Sequence, residues 1–211
     1  MKTDDLIAIL ARGAGPAPRR LPARRVAPVA MLGFLVSAAL VLVLHEPLPP
    51  EAIGEPALWI KVVYAGALAL AAGWLTARRA LPVARLVGPT TAVLAVVLLM
   101  AAFALGVWLQ VPSGERLPML FGLSWRSCPW SLLALSLPTL AGALWVVRGL
   151  APTRLRQAGF AAGLLAGSVA ALAYATACPE SSAVFIAVWY SLGILLSGAL
   201  GAFLGPRVLR W

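Results

Sequence analysis

The chain has 211 residues, of which 62% are hydrophobic and only 11% charged. Soluble domains carry about 25% charged residues and about 45–50% apolar ones, so the composition excludes a soluble globular protein and predicts an all-α integral membrane protein. The formal net charge of +10 does not point to nucleic acid as a direct partner: no aromatic-basic RNA motif or basic stripe on a soluble face accompanies it, and the arginines instead flank apolar segments.

Residues 1–25 are the largest polar piece and open with MKTDDLIAILA. Thr3 suits a helix N-cap, and Asp4 and Asp5 in the first turn suit the helix dipole. Leu6, Ile7 and Leu10 then share one side of a short helix. Gly13, Gly15 and prolines 16, 18 and 22 end it and begin an extended, arginine-containing linker. Two readings stand. One is an interfacial anchor, with leucines in lipid and Arg19, Arg20, Arg24 and Arg25 on lipid phosphates. The other is a docking peptide that lays its apolar face into a groove on a partner. The apolar run that begins at Val26 is too long for the h-region of a cleavable signal peptide, and no small-residue cleavage site follows it.

About 20 apolar residues cross a bilayer core as a helix. Six stretches qualify: 26–44, 57–77, 88–109, 130–147, 157–176 and 184–204. The fourth is the shortest and contains Pro138. Helix is required, since the bilayer has no water to satisfy an open backbone. Together residues 26–204 make a six-helix transmembrane domain, and 205–211 a short tail. Fourteen of the 17 lysines and arginines fall on the side that holds both termini and the second and fourth loops. The positive-inside rule puts that side in the cytoplasm. His45, the only histidine, lies at the outer end of the first span. Lys61 lies four residues into the second, near enough to snorkel to the outer headgroups. The outer loop 110–129 carries Met119-Leu120-Phe121, which reads as a short amphipathic segment at the interface.

Two cysteines remain, each followed by proline: Cys128-Pro129 before span four and Cys178-Pro179 after span five. Both fall on the outer face at matching depth. Proline holds the preceding residue extended and removes a backbone donor, which suits a rigid thiol mount. Three readings compete: a structural disulfide, a redox- or thiol-reactive sensor, and a metal site completed by His45 or Glu180. Arg126 favours a thiolate at Cys128, whereas Glu180 opposes one at Cys178 or helps to bind a cation. The spacing is not CxxC and carries no metal signature, so no firm metal site and no cofactor are expected. Gly159, Gly163 and Gly167 in span five, and Gly193, Ser197, Gly201 and Gly205 in span six, allow close helix approach, between the two spans or between two protomers as a homodimer. There is no Ser-His-Asp set, buried carboxylate pair or phosphate loop, so the chain does not read as an enzyme.

Several segments together resemble one family of bacterial membrane anti-sigma factors, the NrsF (negative regulator of sigma F) type. They are MKTDDLIAILA, WIKVVYAGALAL, WRSCPWSLLALSLP, APTRLRQAGFAAGLLAG, YATACPESSAVFIAVWYSLGILL and the terminal GPRVLRW. The resemblance implies a multi-pass inner-membrane protein with both termini cytoplasmic. It also implies an extracytoplasmic-function sigma factor as partner, released when oxidative or thiol-reactive metal stress acts on Cys128 and Cys178. Charge and position put the sigma contact at Thr3, Asp4, Asp5, Leu6, Ile7 and Leu10. The turn after Cys178 looks variable in the family, so no role passes to Glu180 by resemblance. The rivals from other classes are a thiol-disulfide oxidoreductase linked to quinone, opposed by the wide cysteine spacing, and a small transporter or scaffold, opposed by the scarcity of polar residues within the spans.

Overall fold

The computed structural model describes residues 3–5, 7, 21–45, 49–81 and 84–210. Helix α1 spans Leu21–Leu44, α2 Pro56–Arg79, α3 Val87–Gln110, α4 Arg116–Phe121, α5 Cys128–Arg148 and α6 Leu155–Tyr174. The last span, Ala183–Val208, consists of α7 (Ala183–Phe185), one π-helical turn (Ile186–Tyr190) and α8 (Ser191–Val208). Six of these segments are long and apolar enough to cross a membrane, within a few residues of the six expected. Among the described residues there is no strand.

The ends of the helices follow local chemistry. Pro56 and Pro129 open α2 and α5 at positions where the missing N–H has no intrahelical partner to lose. Arg78, Arg79 and Arg148 sit in last turns, where cations complement the dipole. Span six runs four residues past the expected end, because Gly205-Pro206 stays helical; proline has helix-compatible φ and removes a single bond there. The outer loop does hold a short helix, α4, as the Met119-Leu120-Phe121 patch suggested, and it stops at Gly122, whose φ of 54° closes the turn.

Helix α6 is the axis of the bundle, packed against α1, α2, α5 and α8. Its most apolar window is 83% buried although its hydropathy, 1.3, is the lowest of the six, whereas α3 has the highest, 2.7, and is 17% buried. In a bilayer apolarity marks the lipid-facing surface, and small residues mark the interior. The tightest approach is between α6 and α8, where a Cβ on Gly159 would strike the Gly201 carbonyl and one on Gly163 the Ser197 carbonyl. The α6 stripe is thus used within the chain. Gly193 departs from the expected stripe, since it faces Leu132 of α5 rather than α6. Interior hydroxyls find partners across helices: Ser136 meets Ser197 at 2.9 Å, Tyr64 meets Ser191 at 2.6 Å, and Ser37 donates to the Leu135 carbonyl at 2.9 Å. That last bond lies beside the backbone bond that Pro138 removes from α5, where neighbouring helices commonly supply hydrogen bonds.

Candidate functional site: a buried dithiol nest

Antiparallel packing of α1 on α5, α2 on α6 and α6 on α8 gives the bundle two chemically distinct ends. Arginines 78, 79 and 154 surround one cavity, and arginines 24, 25 and 148 another, at the first end. Both cysteines lie at the other.

Cys128 is the first residue of α5, and its N–H donates to the Ser124 carbonyl at 2.9 Å. Cys178 lies in the turn after α6, and its N–H donates to the Tyr174 carbonyl at 3.1 Å. Residues 50 apart in sequence are thereby brought side by side, close enough for the two thiols to act on each other. Both are free and fully buried.

Lys61 closes the nest from α2. It does not snorkel: the side chain is 2% exposed, and its Nζ donates to the Cys178 carbonyl at 2.5 Å. An unpaired amine could not be buried at tolerable cost, so the expectation of a headgroup contact fails because the bundle supplies a carbonyl and negative charge at that depth. Glu180 supplies part of that charge, and the thiols the rest. Glu180 is itself clamped. Its Oε1 accepts from Leu123 N–H at 2.7 Å, Ser124 N–H at 2.8 Å and the Ser124 hydroxyl at 2.9 Å. The positive φ of Gly122 turns the chain so that these donors converge, and a Cβ there would collide with the carboxylate.

Two tyrosines complete the walls. Tyr190 is fully buried near Cys178, and its hydroxyl has no hydrogen-bond partner among the described residues. The π-helical turn places it there, in keeping with the frequent occurrence of such turns at functional sites. Tyr174 lies between Tyr190, at 6.3 Å between ring centroids, and His45, edge-on at 5.2 Å. The net environment favours Cys178 as the thiolate, below the ordinary thiol range. The Cys128 thiol contributes most. Burial opposes the shift, and the Lys61 cation, the Tyr190 hydroxyl and the Glu180 N–H support it.

The other expected site residues fare differently. His45 stays at the edge, with Nε2 3.4 Å from the Ser131 hydroxyl. Arg126 is exposed and stacks on Trp125 at 4.9 Å, so it is not the cation beside the thiols; Lys61 is. Among the described residues no three histidine, cysteine or acidic side chains converge on one point, so His45 and Glu180 do not complete a metal site with the cysteines. Thr3, Asp4, Asp5 and Ile7 are helical and exposed, while Leu6 and Leu10 lie outside the described residues. Sequence reasoning missed Tyr174 and Tyr190 altogether. Lys61 announced itself as an ionisable residue within a span, which is by default a functional signal.

A family profile described as "Negative regulator of sigma F" (NrsF) matches residues 10–211. The chain belongs to the NrsF family. It is similar to an anti-sigma-F factor NrsF of Caulobacter vibrioides, 41% identical over 216 residues, with all of both chains covered. It is likewise similar to a probable anti-sigma-F factor NrsF of Azospira oryzae, 40% identical over 215 residues, again over the whole of both. No solved structure matches this NrsF chain.

Proposed function

We propose that this protein is a membrane anti-sigma factor that holds an extracytoplasmic-function sigma factor at the cytoplasmic face of a bacterial inner membrane and releases it when Cys128 and Cys178 react. The family membership over residues 10–211 supports the regulatory class. The observation that carries the sensing half is the convergence of two free thiols in one buried nest.

On the positive-inside rule the arginine-rich end is cytoplasmic and the nest lies on the outer side, where disulfides can form and persist. The sigma contact is the N-terminal helix, with Thr3, Asp4, Asp5 and the apolar side of Leu6, Ile7 and Leu10 laid into a groove of the partner. Oxidants or thiol-reactive metals are the inputs. Release requires a large change in affinity, since moving a population from 1:99 to 99:1 takes about 5.5 kcal/mol. A disulfide at the nest that tilts the packed helices supplies part of that change.

Co-purification of the full chain from its host, with partners identified by mass spectrometry, tests the first half; a sigma factor retained by the intact chain and lost on deletion of residues 1–20 is the expected result. Cys128→Ser and Cys178→Ser test the second. Each is expected to keep the partner bound and to abolish transcriptional induction by peroxide or cadmium, with membrane levels unchanged. Normal induction in both variants overturns the sensing reading.

A further inference from the structure

Between α1 and α5, at the end opposite the nest, lies a cavity of about 670 Å³ bounded by Arg24, Arg25, Pro28, Trp145, Val146 and Arg148. We propose that it binds an anionic phospholipid, with the headgroup phosphate on Arg24, Arg25 and Arg148 and an acyl chain along Pro28, Val146 and Trp145. This goes beyond the sensing reading and does not depend on it.

The cleft follows from how the two helices meet. They touch closely at Gly33, where a Cβ would strike Thr139, and again at Gly142, where one would strike Val29. Beyond Val29 and Gly142, towards the start of α1 and the end of α5, Pro28, Trp145 and Val146 replace the glycine contacts, and the cavity opens between the helices. Its floor is apolar and its rim is cationic.

Charge selects the class of occupant. Arg24, Arg25 and Arg148 are exposed. Residues 6–45 and 116–179, which include both helices and the segments that flank them, contain no Asp or Glu. The rim is therefore complemented only by an anion from elsewhere. Arg25 of α1 lies beside the end of α5 that carries Arg148, its Nη1 3.8 Å from where a Cβ on Gly149 would stand. Guanidinium forks match phosphate oxygens in pairs.

The floor selects a lipid over a free anion. Trp145 is 76% exposed, at the end of a span, where indole rings collect between headgroups and hydrocarbon. A free phosphate would use the arginines and leave Pro28, Val146 and Trp145 bare, whereas a phospholipid uses both. Basic clefts between membrane helices hold lipid headgroups in this way. The cavity around Arg78, Arg79 and Arg154 is the contrast: it is basic too, but smaller, about 250 Å³, with Thr153 and no indole in its wall.

The test titrates the purified full chain in detergent with phosphatidylglycerol and, separately, with phosphatidylcholine, and counts bound lipid by native mass spectrometry. Micelles have no sidedness, so the orientation of the chain in its membrane does not enter. Phosphatidylglycerol is expected to bind at least about tenfold more tightly than phosphatidylcholine, because several cations act on one anionic headgroup. Arg24→Gln with Arg25→Gln and Arg148→Gln is expected to remove that preference. Arg78→Gln with Arg85→Gln and Arg154→Gln removes as many charges and is expected to keep it. Trp145→Ala is expected to weaken phosphatidylglycerol several-fold, and an excess of inorganic phosphate is expected not to displace it. Equal loss in the two triple variants would mean unspecific surface charge, and displacement by inorganic phosphate a free-anion site. Either result overturns the assignment, as does a preference that survives the first triple variant. A parent chain with no lipid preference, whose sigma factor is lost in the first triple variant, would assign these arginines to a protein partner and overturns it as well. If the first triple variant does not fold, Arg148→Gln alone, at an exposed helix end, decides the matter in the same titration.

Discussion

At the scale of single residues, the nest is held shut by Glu180. Its carboxylate accepts three hydrogen bonds from Leu123 and Ser124 and is 8% exposed. Glu180→Ala leaves two backbone N–H groups without their acceptor. Hydrogen bonds to a charged group contribute about 1.5–3 kcal/mol each, and an orphaned donor costs about 1–3 kcal/mol. The variant is expected to lose about 2 kcal/mol of stability in thermal unfolding and to expose both thiols to a bulky maleimide several times faster. Glu180→Gln, which keeps one acceptor oxygen, falls between. Labelling as slow as in the parent chain would mean that the 122–124 turn does not guard the thiols. None of this clamp was legible in the sequence. Cys128 and Cys178 stood out as the only two cysteines, but the partners of Glu180 lie 56 and 57 residues away, and the partner of Lys61 is 117 residues distant. No local pattern encodes such a meeting; it follows from how the helices stack.

At the scale of elements, most of the fold was legible, because the bilayer admits so few solutions. Spans were found from length and apolarity, and the glycine spacing in spans five and six marked two helices that allow close approach. The π-helical turn was not legible, since no local pattern in residues 186–190 marks it; in the fold it buries both Ile186 and Tyr190. The α6–α8 seam makes a direct prediction. A side chain at Gly163 meets backbone, the Ser197 carbonyl and Gly198 Cα, which cannot rotate away. Gly163→Leu is therefore expected to cost at least the usual 1–3 kcal/mol of overpacking, read as a lower midpoint of thermal unfolding in detergent and lower membrane levels. Gly54→Leu is the control, since nothing lies within 4 Å of its new Cβ. Equal midpoints for the two would show that the seam yields, and that α6 and α8 do not move as one body.

At the scale of the whole molecule, the two ends are some distance apart: a 24-residue helix such as α2 is about 36 Å long at 1.5 Å per residue. Under the proposed function, a signal from the nest reaches the arginine-rich end through rigid elements with two arrangements. Helix α2 is one such element, as Lys61 grips the Cys178 carbonyl near its start and Arg79 donates to Gln157 of α6 at its end. The partner surface is tested separately from this path by reversing charge at the N-terminal helix. Asp4 and Asp5 are exposed, with their side chains free to face a basic partner. Asp4→Arg with Asp5→Arg adds cations to the end that already carries most of them, so by the positive-inside rule the orientation in the membrane is only reinforced. Any loss of sigma-factor retention then reports the contact and not a flipped topology. Retention is expected to fall at least tenfold in pull-down from membranes, about 1.4 kcal/mol. Unchanged retention would move the contact away from Asp4 and Asp5, to the arginine-rich loops around Arg78, Arg79 and Arg154, whose charges select an acidic partner surface instead.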